Sequence, residues 1–149
     1  MFCSLCRKAK VLRLLLPGMV LLLCSVSEVM GQIRVGNWNI AQLRGDFSAI
    51  EAVLEEASFD DSRGFAVPVG IWIFQEVDTD NIDDLHSLLG SGYSQGTYTS
   101  SGEDQYGGAQ AMFYHASFFS EVVAVHDDIY TGAGRRSDRW QLRLLGTTT

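Results

Sequence analysis

One short run constrains the fold more than any other feature. Ile71-Trp72-Ile73-Phe74 is apolar on both faces and breaks directly into Gln75-Glu76. A run of this length followed by polar residues fits a strand buried on both sides in the middle of a sheet. The flanking pattern supplies the layers such a strand needs. Residues 33–40 read as a strand. Residues 46–58 read as a helix, with Ser48 and Glu51 as a capping box and Ile50, Val53, Leu54 and Ala57 as its apolar stripe. Residues 59–70 read as a loop by their Asp, Gly and Pro content. Residues 79–89 read as a second helix, capped by Asp80 or Asn81, striped by Ile82, Leu85, Leu88 and Leu89, and stopped by Gly90. Strands are expected over 93–99, 109–114, 121–129 and 140–144, with loops at 100–108 and 132–138, the last flexible and basic. The order predicts a mixed α/β fold: a mixed β-sheet with helices packed on it.

The first 31 residues stand apart. Arg7, Lys8, Lys10 and Arg13 form a basic start, residues 11–26 are mostly apolar, and Val29-Met30-Gly31 supplies small or compact residues before Gln32. This is the pattern of a secretory signal peptide over 1–31, with one domain over 32–149. The competing reading is an uncut membrane anchor, but the run is short against the roughly 20 residues of a spanning helix. Leu just before Cys24 fits a lipidation signal poorly. The expectation is therefore a secreted or periplasmic protein with no stable membrane insertion after cleavage, and a membrane-anchored one if the segment stays. Beyond residue 31 the chain keeps seven of its 11 basic residues, all Arg, and 17 of its 18 acidic ones, but none of its three Cys. Without disulfides, a core or a bound metal must hold an exported domain. So acidic a surface does not attract polyanions; if phosphate esters are handled, a cation or local Arg must mediate.

Two polar clusters end apolar strands: Asn37-Trp38-Asn39 and Gln75-Glu76. Open α/β sheets gather ligands beyond the carboxyl ends of their strands. A carboxylate after the most buried strand is costly unless paired or bound to metal. Glu76 with the amide oxygen of Asn39 suits a hard cation such as Mg²⁺, with Mn²⁺ or Ca²⁺ as substitutes. The plainer alternative is that Asn39 caps a turn and Glu76 starts a loop.

Arg34-Val35-Gly36-Asn37-Trp38-Asn39-Ile40 resembles the opening strand of the endonuclease/exonuclease/phosphatase superfamily, the deoxyribonuclease I-like group. Ile73-Phe74-Gln75-Glu76-Val77 resembles its second motif, 37 residues later as in that family. Gly107-Gly108-Ala109-Gln110-Ala111-Met112-Phe113-Tyr114, followed by Phe118-Phe119, is similar to its Gly-plus-apolar strand. Arg136-Ser137-Asp138-Arg139-Trp140 is similar to the segment in which an Arg precedes the next strand. The resemblance implies half of a four-layer α/β/β/α sandwich and a Mg²⁺-dependent phosphodiester hydrolase, nuclease or phosphodiesterase. It implies Asn39 and Glu76 as metal ligands, Glu76 and Arg139 in catalysis, and Arg139 with Arg136 on the substrate. Arg135 beside Arg136 offers a further contact; the competing reading of that loop is a solvated turn. The family's His, Asp-x-Asn pair and closing Asp-His lie in the second half of its domain. The expectations are therefore a partial domain with little hydrolytic activity alone, and a partner covering an exposed sheet face.

The remaining candidates are weaker. His86 is expected exposed on the second helix, His115 in a strand connection, and His126 inside a strand beside Asp127 and Asp128. On a strand His126 and Asp128 share a face, a two-ligand metal site at best. Asp78, Asp80, Asp83 and Asp84 suit a helix N-terminus rather than a calcium loop. Neither a phosphate-loop signature nor a serine nucleophile elbow is present. The resemblance implies a phosphodiester substrate, with nucleic acid, phospholipid head group and inositol phosphate all open. The alternative is a non-enzymatic exported binding module, acidic and rich in Tyr, Trp and Gly.

Overall fold

A computed structural model describes residues 33–59, 67–100, 109–132 and 136–146. The predicted signal peptide lies outside the described residues, as do most of the 100–108 loop, Arg135, and residues 60–66 of the first loop. Among the described residues no helix is long and apolar enough to cross a membrane.

The fold is mixed α/β. Strand β1 (Val35–Asn39) leads through a short turn to helix α1 (Phe47–Phe59), then strand β2 (Ile71–Val77). Helix α2 (Ile82–Leu89), strand β3 (Tyr93–Gln95) and strand β4 (Ala109–His115) follow. These four strands form one sheet in the order β1-β2-β4-β3, with β1 parallel to β2 and the other pairs antiparallel. The doubly apolar run is an interior strand, as its composition demands. Trp72 and Phe74 point to the helical side and are buried there with Phe113 and Ala111 of β4. Ile50 and Leu54 of α1 and Ile82 and Leu85 of α2 close this core. Trp72 stacks on Phe74 with ring centroids 5.7 Å apart, and Phe74 meets Phe113 edge-on at 6.0 Å. On the other side of the sheet Met112 is buried, Ile71 and Ile73 are half-buried and Val35 is exposed.

The α2 stripe of Ile82, Leu85, Leu88 and Leu89 packs as expected, but that of α1 is narrower than expected. Ile50, Leu54 and Ala57 face the core at spacings of four and three, while Val53 lies on the flank and is exposed. The start of α1 is held by Asp46 rather than Ser48: the Ser48 N–H donates to Asp46 Oδ1 (2.9 Å) and the Ala49 and Ile50 N–H groups to its carbonyl. Neither Asp80 nor Asn81 caps α2 with its side chain; Thr79–Asn81 form a 3-10 turn leading into it. Gly90, at φ +82°, ends it in a conformation that disfavours a side chain. Arg34 spans the layers, its guanidinium donating to the carbonyl of Ala57, near the end of α1, and to that of Val67. A cation at a helix C-terminus is favoured by the dipole as well as the hydrogen bond.

The last third departs furthest from expectation. The strand expected over 121–129 is broken. Strand β5 (Phe119–Glu121) is followed by a 3-10 turn at Val123–Val125, then strand β6 (Asp127–Tyr130). The basic segment expected as a loop contains strand β7 (Arg136–Arg139), antiparallel to β6. Strand β8 (Leu142–Leu144) pairs with β5. The strand expected over 93–99 stops at Gln95.

Candidate functional site

Asn39 ends β1, directly beside Gln75 of β2, and Gln75 is in turn beside Gln110 of β4. The row Asn39, Gln75, Gln110 therefore crosses three strands at one level, with Asn37 bound to Gln75 through its side-chain oxygen. Regular pleating would send the next residue, Glu76, to the opposite face from its neighbour. It does not continue regularly. Gln75 faces Gln110 and Val77 faces Ala109, so Glu76 is the extra residue of a β-bulge, at φ +56°. Bulges re-aim side chains at the ends of pairing. The outcome is a direct contact: Asn39 Nδ2–H donates to Glu76 Oε1 at 2.8 Å. Asn39 Oδ1 meanwhile accepts the Ala41 N–H at 3.0 Å.

The turn after β1 is also left-handed. Ala41, Gln42 and Leu43 lie at φ +46°, +58° and +52°. Leu43 is buried there, and Gln42 reaches across to Asp78, just beyond β2, with Nε2–H donating to Oδ1 at 3.3 Å. Arg44 holds the other end of the Gln42 amide. Left-handed non-glycine residues cost roughly 1–2 kcal/mol each and normally occur singly.

A hard cation fits this pair in part. Glu76 supplies a half-exposed carboxylate whose second oxygen makes no hydrogen bond among the described residues. Asn39 presents its amide nitrogen, so the amide must turn over and release the Ala41 N–H before its oxygen faces the carboxylate. Magnesium is commonly held by one or two protein oxygens and several waters, which matches so small a donor set. No cluster of three or more His, Asp, Glu or Cys suited to a metal is found among the described residues.

The two arginines lie elsewhere, on the β6–β7 ribbon. Arg139 donates to Asp127 Oδ2 at 3.3 Å, and both side chains are exposed. Arg136 donates to the carbonyl and to Oδ2 of Asp128, each at 3.3 Å, and lies over the Tyr130 ring. Neither touches Asn39 or Glu76. The ribbon nonetheless docks on the amide row. Gln110 Nε2–H donates to the Arg136 carbonyl (3.4 Å), and the Asp138 N–H donates to Gln110 Oε1 (3.2 Å).

The histidines are not placed as expected. His86 is half-buried, its Nε2–H donating to the Tyr93 carbonyl (2.8 Å) while its ring lies against Phe113. His115 stacks on Phe118, meets Tyr93 edge-on and is hydrogen-bonded to Ser117. His126 precedes β6 rather than lying in it, and its partner is Asp138, not Asp128: Nε2–H donates to Asp138 Oδ1 at 3.0 Å. Thr99 Oγ–H donates to the same oxygen at 2.7 Å. The His126 and Asp138 side chains are only 8% and 4% exposed. Burial pushes the Asp138 carboxyl above its usual range and Asp128, opposite it in the ladder, adds to this; Thr99 and His126 pull the other way. The sequence held no signal for this cluster, because the β6–β7 register that creates it was not legible.

No protein-family model and no curated protein matches the sequence. Among solved structures the chain is similar to an endonuclease/exonuclease/phosphatase family protein from Bacteroides thetaiotaomicron, at 16% identity and a TM-score of 0.51. The match covers 77% of this chain and 46% of the other, so the chain spans about half the length of that protein. The likeness is one of fold: the mixed sheet and its helices correspond to part of that family's α/β sandwich.

Proposed function

We propose that the chain belongs to an exported, Mg²⁺-dependent phosphodiester hydrolase, and that Asn39 and Glu76 form its metal-binding corner. The observation that carries this reading is the 2.8 Å contact between the two side chains, delivered by a bulge that regular pairing would not produce. The shared fold supports the class. Glu76 would hold the cation through its carboxylate and Asn39 through its amide oxygen once turned. When bound, the cation supplies charge neutralisation at a phosphodiester oxygen. The chain's own contribution is placement. The bulge sets the carboxylate at the rim, the left-handed turn fixes Asn39 by its backbone, and Gln75 and Gln110 carry the amide row toward β7. Arg139 would take the phosphate once drawn from its aspartate partner, its planar fork matching two phosphate oxygens, with Arg136 at the other end of the same strand as a second contact. The half-covered face around Ile71 and Ile73 would take a covering partner.

Titration with Mn²⁺ or Mg²⁺ tests this. A cation at about 100 times its Kd stabilises the folded chain by roughly 2.7 kcal/mol. Wild type should show that rise in unfolding midpoint and Glu76→Gln should not; an equal response in both removes the site. One observation favours the second reading, a non-enzymatic binding module: both candidate substrate arginines are ion-paired on their own ribbon. No response to either cation decides for it.

A further inference from the structure

The β6–β7 ribbon carries both candidate substrate arginines, yet what fixes it is polar. Ile129 and Tyr130 of β6 are exposed, and a two-stranded ribbon alone is marginal in water. Asp138 is its inward anchor. One carboxylate oxygen accepts from Thr99, in the segment after β3, and from His126, in the connection before β6, while its N–H is taken by Gln110 of β4. Three separate elements therefore meet on one residue of β7. The His126 ring also lies 6.0 Å from the ring of Trp140, whose Nε1–H donates to the Thr97 carbonyl (2.7 Å), so the cluster is walled on that side.

We propose that His126 is a positioning residue: by holding the Asp138 carboxylate it fixes β7, and so the backbone that carries Arg139, against β4 and the segment after β3. The consequence for Arg139 rests on the phosphodiesterase reading; the anchoring does not. The groups that face the Asp138 carboxylate are Thr99, His126 and, across the ladder, Asp128 with its partner Arg136. The Asp127–Arg139 pair is exposed. Directly opposed like charges destabilise a ladder. Without the imidazole, the ionised carboxylate would be buried against Asp128 with one hydroxyl to hold it. Either it then takes up a proton or β7 lets go. His126 removes that choice by donating to the carboxylate. The cluster therefore predicts a pH-dependent hold on β7, which a packing role for the ring would not produce.

Amide hydrogen exchange on the full chain reads this directly, with rates corrected for their intrinsic pH dependence, at pH 5.5 and 7.5. In His126→Ala, exchange over 136–139 should rise about tenfold or more at pH 7.5, while 71–77 and 109–115 stay within about twofold of wild type. The rise should be smaller at pH 5.5, where the carboxylate is nearer neutral. His126→Gln, whose side-chain amide can donate to the same oxygen, should return the rate to within about threefold. Unchanged exchange over 136–139, a rise spread equally over β2 and β4, no pH dependence, or failure of Gln to rescue would each overturn the proposal. No substrate enters this measurement. A phosphodiester probe that binds Arg139→Ala as well as wild type would sink the functional reading and leave the anchoring intact.

Discussion

The bulge at Glu76 makes an inverted prediction about glycine. At an ordinary strand position glycine is worse than a residue with a side chain by roughly 0.5–1 kcal/mol, because it loses more conformational freedom on folding. Glu76 is not ordinary: at φ +56° any residue with a Cβ bears strain of roughly 1–2 kcal/mol, and glycine bears almost none. Glu76→Gly and Glu76→Ala both lose the hydrogen bond to Asn39, so its worth cancels between them. The difference that remains is strain relief less the entropic penalty, which leaves the Gly variant ahead of the Ala variant by about 0.5–1 kcal/mol. Urea unfolding of the full chain checks this through the midpoint. With a slope of about 2 kcal/mol/M, equal in both variants, the Gly variant should unfold at roughly 0.3–0.5 M higher urea. Neither variant should respond to Mn²⁺. If Ala proves the more stable, residue 76 is not held left-handed in the folded chain, and the account of how its carboxylate reaches Asn39 fails with it.

Gly36 lies directly opposite Trp72 in the β1–β2 ladder, and a Cβ there would fall 2.2 Å from two atoms of its indole ring. Trp72 is buried against Phe74 and has nowhere to retreat, so Gly36→Ala should cost about 3 kcal/mol in denaturant unfolding, at the upper end of overpacking penalties. Asp138, held above the unfolded carboxyl value of 3.8, keeps its proton to higher pH when folded. Its contribution to stability is thus fully present below that value and is lost as pH rises through the folded one. Asp138→Asn keeps an oxygen for Thr99 and His126 and should flatten the stability–pH curve above the unfolded carboxyl value, measured by urea midpoints; an unchanged curve refutes the assignment. Arg34→Met strips the carbonyls of Ala57 and Val67 of a donor and should cost about 1–3 kcal/mol, with faster hydrogen exchange in the last turn of α1.

What the sequence disclosed and what it withheld divide along a physical line. Periodicity was informative wherever burial imposed it. The 71–74 run became the interior strand, and Ile50, Leu54, Ile82 and Leu85 reached the core because helix spacing and apolar composition agreed. Val53 misled because it lies one flank position off a stripe that Ile50, Leu54 and Ala57 already fill. Beyond residue 118 the expectations weakened: β5, β6 and β7 bury little, so their residues carry no strong alternation, and the break at Val123–Val125 falls among three apolar residues that leave no turn signature. The pairing of Asn39 with Glu76 was legible as two polar ends of apolar strands. How they meet was not, because no glycine marks the bulge. Nor was the His126–Asp138 contact, which depends on a ribbon register that neither residue advertises.

The backbone strain itself is unevenly placed. Among the described residues, the non-glycine positions with left-handed φ are Ala41, Gln42, Leu43 and Glu76; the first three form the turn that follows Asn39 and the last makes its side-chain contact. At roughly 1–2 kcal/mol each they represent several kcal/mol, comparable to a good part of the net stability of a domain this size. A chain under no demand at this corner would be expected to place glycine at one or more of these positions. Local contacts hold the strain in place: Leu43 is buried, the Ile40 N–H reaches the Gln75 carbonyl, and Gln42 is held between Asp78 and Arg44. Strain of this kind persists where the surroundings over-determine the conformation, and it concentrates at sites that bind. Relaxing the turn would free the Ala41 N–H from Asn39, and relaxing the bulge would return Glu76 to the alternation of its strand. Either change separates the two side chains. Their contact is therefore maintained against the backbone's own preference, which is the physical reason for reading this corner as a site rather than as the ordinary end of two strands.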